Sequence, residues 1–98
     1  MNNIINVAFQ ILPKSDSNNT YAIIDKVIEV IQNSGLKFKV CPFETVIEGK
    51  YDDVMLLIKQ AQQTCFDAGA TEFIANIKMQ VNKTKDVKIK DKMYKYES

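Results

Sequence analysis

Two helix-forming stretches, each ended by a glycine and followed by a strand-like segment, leave few folds open to this chain. The first is predicted to have its cap at residue 19 or 20, to run to about residue 34 and to end before Gly35. The second is predicted to begin with Asp52 as its N-cap and to end before Gly69. Apolar residues recur at helical spacing in both stretches, so each helix is predicted to bury one side. These residues are Ile23, Ile24, Val27, Ile28 and Ile31 in the first, and Val54, Leu57, Ile58, Ala61, Cys65 and Ala68 in the second.

Four segments rich in alternating or β-branched residues surround the helices and predict strands. They span residues 4–12, 36–41, 43–48 and 71–81. The element order is therefore β-α-β-β-α-β, and right-handed crossovers put both helices on one face of a four-stranded antiparallel sheet. For a chain of 98 residues, this predicts one α+β domain. We expect a ferredoxin-like sandwich over residues 1–81, followed by a Lys-rich tail or short helix over residues 82–98.

Alternation along these strands assigns their side chains to two faces of the sheet. The face predicted to cover the helices is apolar and consists of Ile5, Val7, Phe9, Ile11, Leu36, Phe38, Val40, Phe43, Ile47, Phe73, Ala75, Ile77 and Met79. The opposite face, called the open face from here on, carries Asn6, Ala8, Gln10, Lys37, Lys39, Cys41, Glu44, Val46, Glu48, Glu72, Ile74, Asn76, Lys78 and Gln80. Two interpretations of the open face remain: a solvated surface with lysine–glutamate pairs, or a polar cavity covered by a second subunit. The carboxamides favour the second, because amides offer donors and acceptors at fixed geometry.

The residue types missing from the chain limit its chemistry. The chain has no His, and all 13 of its basic residues are lysines. It therefore lacks the commonest general acid–base and metal-binding side chain and the bidentate arginine fork. It also contains no CxxC, GxGxxG or P-loop motif. We expect no enzymatic activity, no metal and no cofactor. An enzyme that uses Glu48 and a lysine is kept as an alternative hypothesis.

Charge and hydropathy argue against nucleic-acid and membrane partners. A net charge of +1 produces no field that would attract either, and the open face of the central strands has no aromatic platform for RNA bases. No apolar stretch approaches the roughly 20 residues needed to span a bilayer, and the first residues carry no basic signal-peptide region. Cys41 and Cys65 are predicted to be reduced, buried thiols of a cytoplasmic protein.

The predicted hairpin between the second and third strands carries a motif as well as a strand pattern. Residues 42–49, Pro-Phe-Glu-Thr-Val-Ile-Glu-Gly, resemble the Pro-x-x-Thr-x-Ile-Glu-Gly signature of the YkoF-like thiamine-binding protein family. The flanking segments are similar to the same family. They are residues 7–13 in its first strand, 34–37 at its first helix exit, 66–70 at its second helix exit and 77–78 in its last strand. The resemblance covers almost the whole chain.

This resemblance implies non-catalytic binding of thiamine, or of a hydroxymethylpyrimidine-type precursor, at a subunit interface of a homo-oligomer with two or four subunits. A carboxylate and aromatic faces suit the cationic thiazolium and flat aminopyrimidine of such a ligand. The candidate ligand-binding residues are Glu48 as the first choice of carboxylate, Glu44 as the second, the family-matched Thr45, and Gln10, Asn76 and Tyr21. The alternative function is an oligomeric regulatory or interaction module with no vitamin ligand.

The C-terminal tail has two interpretations of its own. From Lys78 onward the chain carries seven lysines against Asp86, Asp91 and Glu97. A solvated terminal helix is the favoured interpretation of such a charge run. The other is an arm that clasps a second subunit or attracts phosphate.

Overall fold

The computed structural model of the protein describes residues 2–97, and within them it contains four strands and three helices. They are β1 (Ile4–Lys14), α1 (Thr20–Gln32), β2 (Lys37–Val40), β3 (Thr45–Lys50), α2 (Tyr51–Asp67), β4 (Glu72–Gln80) and α3 (Ile89–Met93). The strands form one antiparallel sheet in the order β2-β3-β1-β4. The predicted ferredoxin-like α+β arrangement is confirmed, including the short C-terminal helix.

The core lies between one face of the sheet and the two long helices, α1 and α2. Its buried side chains are Ile5, Val7, Phe9, Ile11, Ile23, Val27, Ile31, Ile47, Val54, Leu57, Ile58, Ala61, Cys65 and Ala70. They include most of both predicted helix stripes, whereas Ile24, Ile28 and Ala68 are half-buried. Burying one large aliphatic side chain stabilises a fold by about 1.5–3 kcal/mol. This layer therefore holds the helices to the sheet.

The helices leave part of their own side of the sheet uncovered. Phe38 on β2 and Ile77 and Met79 on β4 share a face with the core by register, yet these side chains are 36%, 41% and 37% exposed. The prediction that helices cover these positions is wrong, because α1 and α2 contact mainly the central strands β1 and β3. A stretch of apolar surface consequently remains along the outer strand β4.

The connection between β2 and β3 is a tight turn. The backbone N–H of Cys41 donates to the carbonyl of Glu44 at 2.9 Å, which leaves Pro42 and Phe43 at the tip. The strand predicted over residues 43–48 begins only at Thr45. The Phe43 ring, predicted to cover the helices, is instead 79% exposed. Alternation fails here because a turn residue belongs to neither face of the pleat.

Strand β3 passes directly into α2, and this junction differs from the predicted cap. Lys50 occupies the N-cap position with extended backbone, and Asp52 lies in the first turn. The free N–H groups of that turn are satisfied by the N-terminal segment: Asn2 Oδ1 accepts from the Asp52 amide at 3.0 Å, and the Asn3 carbonyl accepts from Tyr51 at 3.1 Å. Asp52 still stabilises this end of the helix, because its negative charge is attracted to the positive end of the helix dipole.

Residues 82–97, called the C-terminal segment, turn back onto the sheet. Both backbone groups of Ile4 form hydrogen bonds with this segment. Its N–H donates to Asp86 Oδ1 at 2.9 Å, and its carbonyl accepts from the Val87 N–H at 2.9 Å. The Val87 side chain is buried. The interpretation of the tail as a purely solvated helix is therefore wrong for this part of it, although α3 itself buries no residue completely. A domain boundary between residues 81 and 82 stays a prediction.

Candidate functional site

Strand register arranges the open face in rows that cross the sheet. The row nearest the C-terminal segment consists of Lys37, Glu48, Asn6 and Gln80, and the next row consists of Lys39, Val46, Ala8 and Lys78. The following row contains the pair Gln10 and Asn76 on β1 and β4. Antiparallel neighbours on one face lie about 5 Å apart. Side chains in a row can therefore contact one another or a shared ligand.

Glu48, the first choice of ligand carboxylate, lies in the row beneath the C-terminal segment. Its Oε1 accepts from the backbone N–H of Ile89 at 2.8 Å and from Asn6 Nδ2 at 3.4 Å, and its Oε2 is 3.7 Å from Lys37 Nζ. The Glu48 side chain is only 11% exposed. The carboxylate therefore anchors the segment to the sheet, and its oxygens are largely occupied by groups of the same chain.

Gln10 and Asn76 are brought together by the pairing of β1 with β4. Asn76 Nδ2 donates to Gln10 Oε1 at 3.0 Å. Both amides, together with Glu44, line a shallow depression on the open face of about 500 Å³. Each amide keeps further donors or acceptors free for a ligand, because one hydrogen bond uses only part of its capacity.

A second depression, about 290 Å³ in volume, lies where α1 crosses the end of the sheet beside the β2–β3 turn. Four of the predicted site residues line it: Gln10, Tyr21, Glu44 and Thr45. Phe43 completes the rim, and an apolar floor is formed by Phe9, Ile11, Ile24, Val27, Ile28 and Ile31, among others. This depression is called the aromatic cleft. Gln10 and Glu44 also border the shallow depression that contains Asn76.

The rim of the aromatic cleft combines three kinds of group that suit a flat cationic molecule. The rings of Tyr21 and Phe43 are 84% and 79% exposed, so their faces are free to stack on a ligand. Glu44 supplies a carboxylate at the same rim, and cations bind favourably to both carboxylates and aromatic faces. Thr45 is buried on the helix side, opposite Phe9 in register. It can reach a ligand only from within the floor of the cleft.

Sequence reasoning missed Phe43 as a rim residue. The alternating pattern of the strand that follows predicts this residue on the covered face. The signal that could have revealed it is the preceding Pro42, since Pro favours turn positions and ends regular pairing. An aromatic residue at the tip of a two-residue turn has no neighbouring strand to cover it.

Two free thiols occur among residues 2–97, Cys41 and Cys65. No cluster of three or more His, Cys, Asp or Glu side chains there could hold a metal ion. Cys65 is a free thiol in the core, and burial raises its pKa, so it stays protonated at neutral pH. Cys41 is a free thiol that is half-buried. In the same part of the chain, no helix has the length and apolar character needed to traverse a bilayer.

Comparison with known families decides the relationship. The family model described as "Thiamine-binding protein" matches residues 7–97, which includes every element from α1 to α3 and all of β1 except its first three residues. The chain belongs to the thiamine-binding protein family. The resemblance noted around residues 42–49 is thereby confirmed over nearly the full length.

Individual relatives agree with this membership. UPF0045 protein CPE1503 of Clostridium perfringens is 41% identical over 91 residues, which are 93% of this chain and 95% of that protein. A domain of unknown function from Bacillus cereus superposes with a TM-score of 0.95 at 37% identity, over 100% of this chain and 94% of that chain. A Thermotoga maritima protein provisionally assigned to thiamine biosynthesis or salvage has a TM-score of 0.84 at 24% identity, over 95% and 98% of the two chains. At 24% identity, the similarity to the Thermotoga maritima protein shows only that the two proteins share a fold.

Proposed function

We propose that this member of the thiamine-binding protein family binds thiamine, or a hydroxymethylpyrimidine-type precursor, in the aromatic cleft and without catalysis. The observation that carries the proposal is the meeting of the Glu44 carboxylate with the exposed rings of Tyr21 and Phe43 at one apolar depression. A ligand that covers them gains apolar burial and cation–π attraction together.

The chemistry of the cleft matches the two parts of thiamine. Its thiazolium ring is cationic and is attracted by the Glu44 carboxylate and by the aromatic faces of the rim. Its aminopyrimidine ring is flat and partly apolar, which suits a floor that includes Ile24 and Ile28. Gln10 borders both this cleft and the open-face depression, where its Oε1 accepts from Asn76 Nδ2 at 3.0 Å; the NH₂ group of its amide is the part left to donate to a ring nitrogen.

Glu44 takes the place of Glu48, the carboxylate that the sequence favours as the ligand group. Glu44 lines the aromatic cleft, whereas Glu48 is committed to Ile89 and Asn6 beneath the C-terminal segment. Glu48 as a ligand group stays a prediction that only binding measurements test. The bonds that Glu48 already makes argue against this role, because a ligand would have to displace the hydrogen bonds that hold the C-terminal segment to the sheet.

Calorimetric titration with thiamine tests the proposal. Glu44→Gln removes the charge but keeps the size and an acceptor, so affinity is expected to fall by about ten- to a hundredfold, the equivalent of about 1.5–3 kcal/mol. Glu29→Gln is the matched control, since Glu29 lies on α1 and its side chain is 59% exposed. Equal affinity of the Glu44→Gln and Glu29→Gln proteins would remove Glu44 from the site. No saturable binding to the unaltered protein would refute the proposal itself.

The expected homo-oligomer, of two or four subunits, forms the second part of the proposal. Within the described residues β4 pairs only with β1, so its outer edge presents free backbone groups beside the exposed side chains of Ile77 and Met79. Natural proteins cover or charge such edges. We infer that a second copy covers β4, which would put ligand sites near a subunit interface. Sedimentation of a monomer at micromolar concentration would contradict this.

The same β4 edge is what favours the alternative function, an oligomeric interaction module without a vitamin ligand. Edge pairing needs no ligand, so both functions predict an oligomer. Thiamine titration separates them, because the interaction module gives no saturable heat. A cytoplasmic location stays a prediction.

A further inference from the structure

The two edge strands of the sheet, β2 and β4, differ in how well they are protected against pairing with another strand. Strand β2 spans only four residues, and two of them are lysines. Natural sheets use short edges and edge lysines to avoid further pairing. Strand β4 spans nine residues and contains a single lysine, Lys78. Pairing with another chain is therefore more favourable along β4 than along β2.

The hydrogen bonds of β1 determine which backbone groups of β4 face the free edge. The Lys14 carbonyl accepts from the N–H of Thr71, directly before β4, and the Asn3 carbonyl accepts from the N–H of Tyr51, directly after β3. Because successive residues of a strand direct their backbone groups to opposite neighbours, the even-numbered residues of β1 face β4. They pair with the even-numbered residues of β4, so the odd-numbered residues of β4 direct their N–H and C=O groups outward. These residues are Phe73, Ala75, Ile77 and Met79.

The same four residues carry apolar side chains on the helix side of the sheet. Ile77 and Met79 are 41% and 37% exposed, and Phe73 and Ala75 are half-buried. A strand that pairs with this edge would therefore satisfy free backbone groups and remove apolar surface from water at the same positions.

Antiparallel pairing of β4 with a second β4 has one register that uses the whole strand. In it Asn76 lies opposite the partner's Asn76, so that residues 72–80 of each copy all pair. Phe73 then meets the partner's Met79, and sulfur–aromatic contacts are favourable. Ala75 meets the partner's Ile77, so a small side chain faces a large one. A shift of two residues in either direction leaves two residues of each β4 without a partner.

The charges of the open face are complementary in the same register. Glu72 lies opposite the partner's Gln80 and diagonal to the partner's Lys78, at about 7–8 Å, which long side chains can bridge. Lys78 lies opposite the partner's Ile74, which its aliphatic stem can cover. The twofold axis repeats both contacts. A register centred on Lys78 would instead bring two ammonium groups together, which is unfavourable.

From these features we propose that two copies of the chain pair through β4 in antiparallel register about Asn76, joining two four-stranded sheets into one. The inference rests on the oligomer proposed above and adds its contact surface and register. It also completes the open-face depression that contains the hydrogen-bonded pair Gln10 and Asn76. At the twofold axis this depression meets its equivalent in the partner. The two form one continuous trough with an amide pair from each copy.

Cysteine substitutions measure the register directly. Opposed residues that do not hydrogen-bond to each other have Cα atoms about 4.5 Å apart in an antiparallel pair, a separation that permits a disulfide. Asn76 directs its backbone groups to β1 and occupies such a position at the axis, so Asn76→Cys is expected to form a disulfide between two copies. Ile74→Cys and Lys78→Cys are the matched controls. Each would lie about 14 Å from its own equivalent and is expected to form no such bond.

The double variant Ile74→Cys/Lys78→Cys provides a positive control for the same register, because these two positions lie opposite each other across the axis. It is expected to crosslink although neither single variant does. All three substituted positions are exposed, so the variants are expected to fold. Cys41 is replaced by Ser throughout, because it is a half-buried free thiol. Non-reducing electrophoresis after mild oxidation reports the crosslinks.

Sedimentation of Ile77→Lys tests the contact surface without cysteines. The dissociation constant of the dimer is expected to rise at least about tenfold, because each dimer loses two isoleucines from its interface. The matched control is Leu56→Lys, since Leu56 is 55% exposed and lies on α2; it should associate as the unaltered protein does. Both side chains are exposed in the single chain, so both variants are expected to fold, and circular dichroism checks this.

The possible failures are distinguishable from one another. An oligomer in which Asn76→Cys does not crosslink would overturn the register and leave the oligomer itself intact. Crosslinking of Ile74→Cys or Lys78→Cys alone would do the same, because it requires a different centre of pairing. An oligomer that Ile77→Lys does not weaken would place the interface away from β4. A monomer at micromolar concentration would overturn this inference together with the proposed oligomer.

Discussion

Replacing Glu48 tests whether the C-terminal segment is a bound part of the fold. The Glu48 carboxylate accepts from the Ile89 N–H at 2.8 Å while the side chain is only 11% exposed. A hydrogen bond to a charged group in such a setting contributes about 1.5–3 kcal/mol. The contact with Lys37 adds little, because it is 3.7 Å long and the Lys37 side chain is 61% exposed.

Two substitutions at this position are expected to differ in size. Glu48→Ala removes both acceptor oxygens and is expected to lower the free energy of unfolding by about 1.5–3 kcal/mol. Glu48→Gln keeps one acceptor oxygen and loses only the charge, so a cost of about 0.5–1.5 kcal/mol is expected. Urea denaturation measures these losses, and each kcal/mol corresponds to about 4–8 °C in Tm for a domain of this size. Glu29→Ala on the exposed side of α1 is the control.

Hydrogen exchange distinguishes release of the segment from general destabilisation. The backbone amides of Val87 and Ile89 should lose protection in Glu48→Ala, because their acceptors lie on the sheet. Protection of core amides in α2 should change less. If Glu48→Ala cost under about 0.3 kcal/mol and left Val87 and Ile89 as protected as before, the assignment of Glu48 as the anchor would be refuted.

Two further predictions concern the core. Leu57→Ala is expected to cost about 2–5 kcal/mol in chemical denaturation, because Leu57 is buried between α2 and the sheet; a loss well under 2 kcal/mol would contradict the packing described. Burial raises the pKa of the Cys65 thiol, so the folded state holds this proton more tightly than the unfolded state does. The stabilising effect is therefore complete at neutral pH and declines as pH rises above the ordinary thiol pKa of about 8.5. Cys65→Ala should show a smaller alkaline loss of stability than the unaltered protein, and identical pH profiles would contradict this.

Much of the fold was predictable because local patterns and tertiary packing agree. The helical spacing of Ile23, Val27 and Ile31 predicts the side of α1 that is buried, and alternation predicts that Asn6 and Glu48 share a face across β1 and β3. The topology follows from the order of the elements, because right-handed crossover connections allow few arrangements of two helices and four strands.

The candidate site was only partly predictable, for physical reasons that differ by residue. Tyr21, Glu44 and Gln10 do meet at one cleft, because each was placed near the same end of the sheet by its element. Phe43 was misassigned, because alternation has no meaning in a turn. Glu48 was placed on the correct face, but no local pattern shows that a segment 41 residues further along would occupy its carboxylate.

Periodicity within short stretches is enough to specify the elements, their order, the buried side of each helix and the division of the sheet into two faces. What covers each face depends instead on how the elements pack against one another. The helices stop short of Ile77 and Met79, and the C-terminal segment closes over Asn6 and Glu48. Both depend on contacts between residues distant in sequence, whose energies come from shape and hydrogen-bond partners that no local pattern encodes.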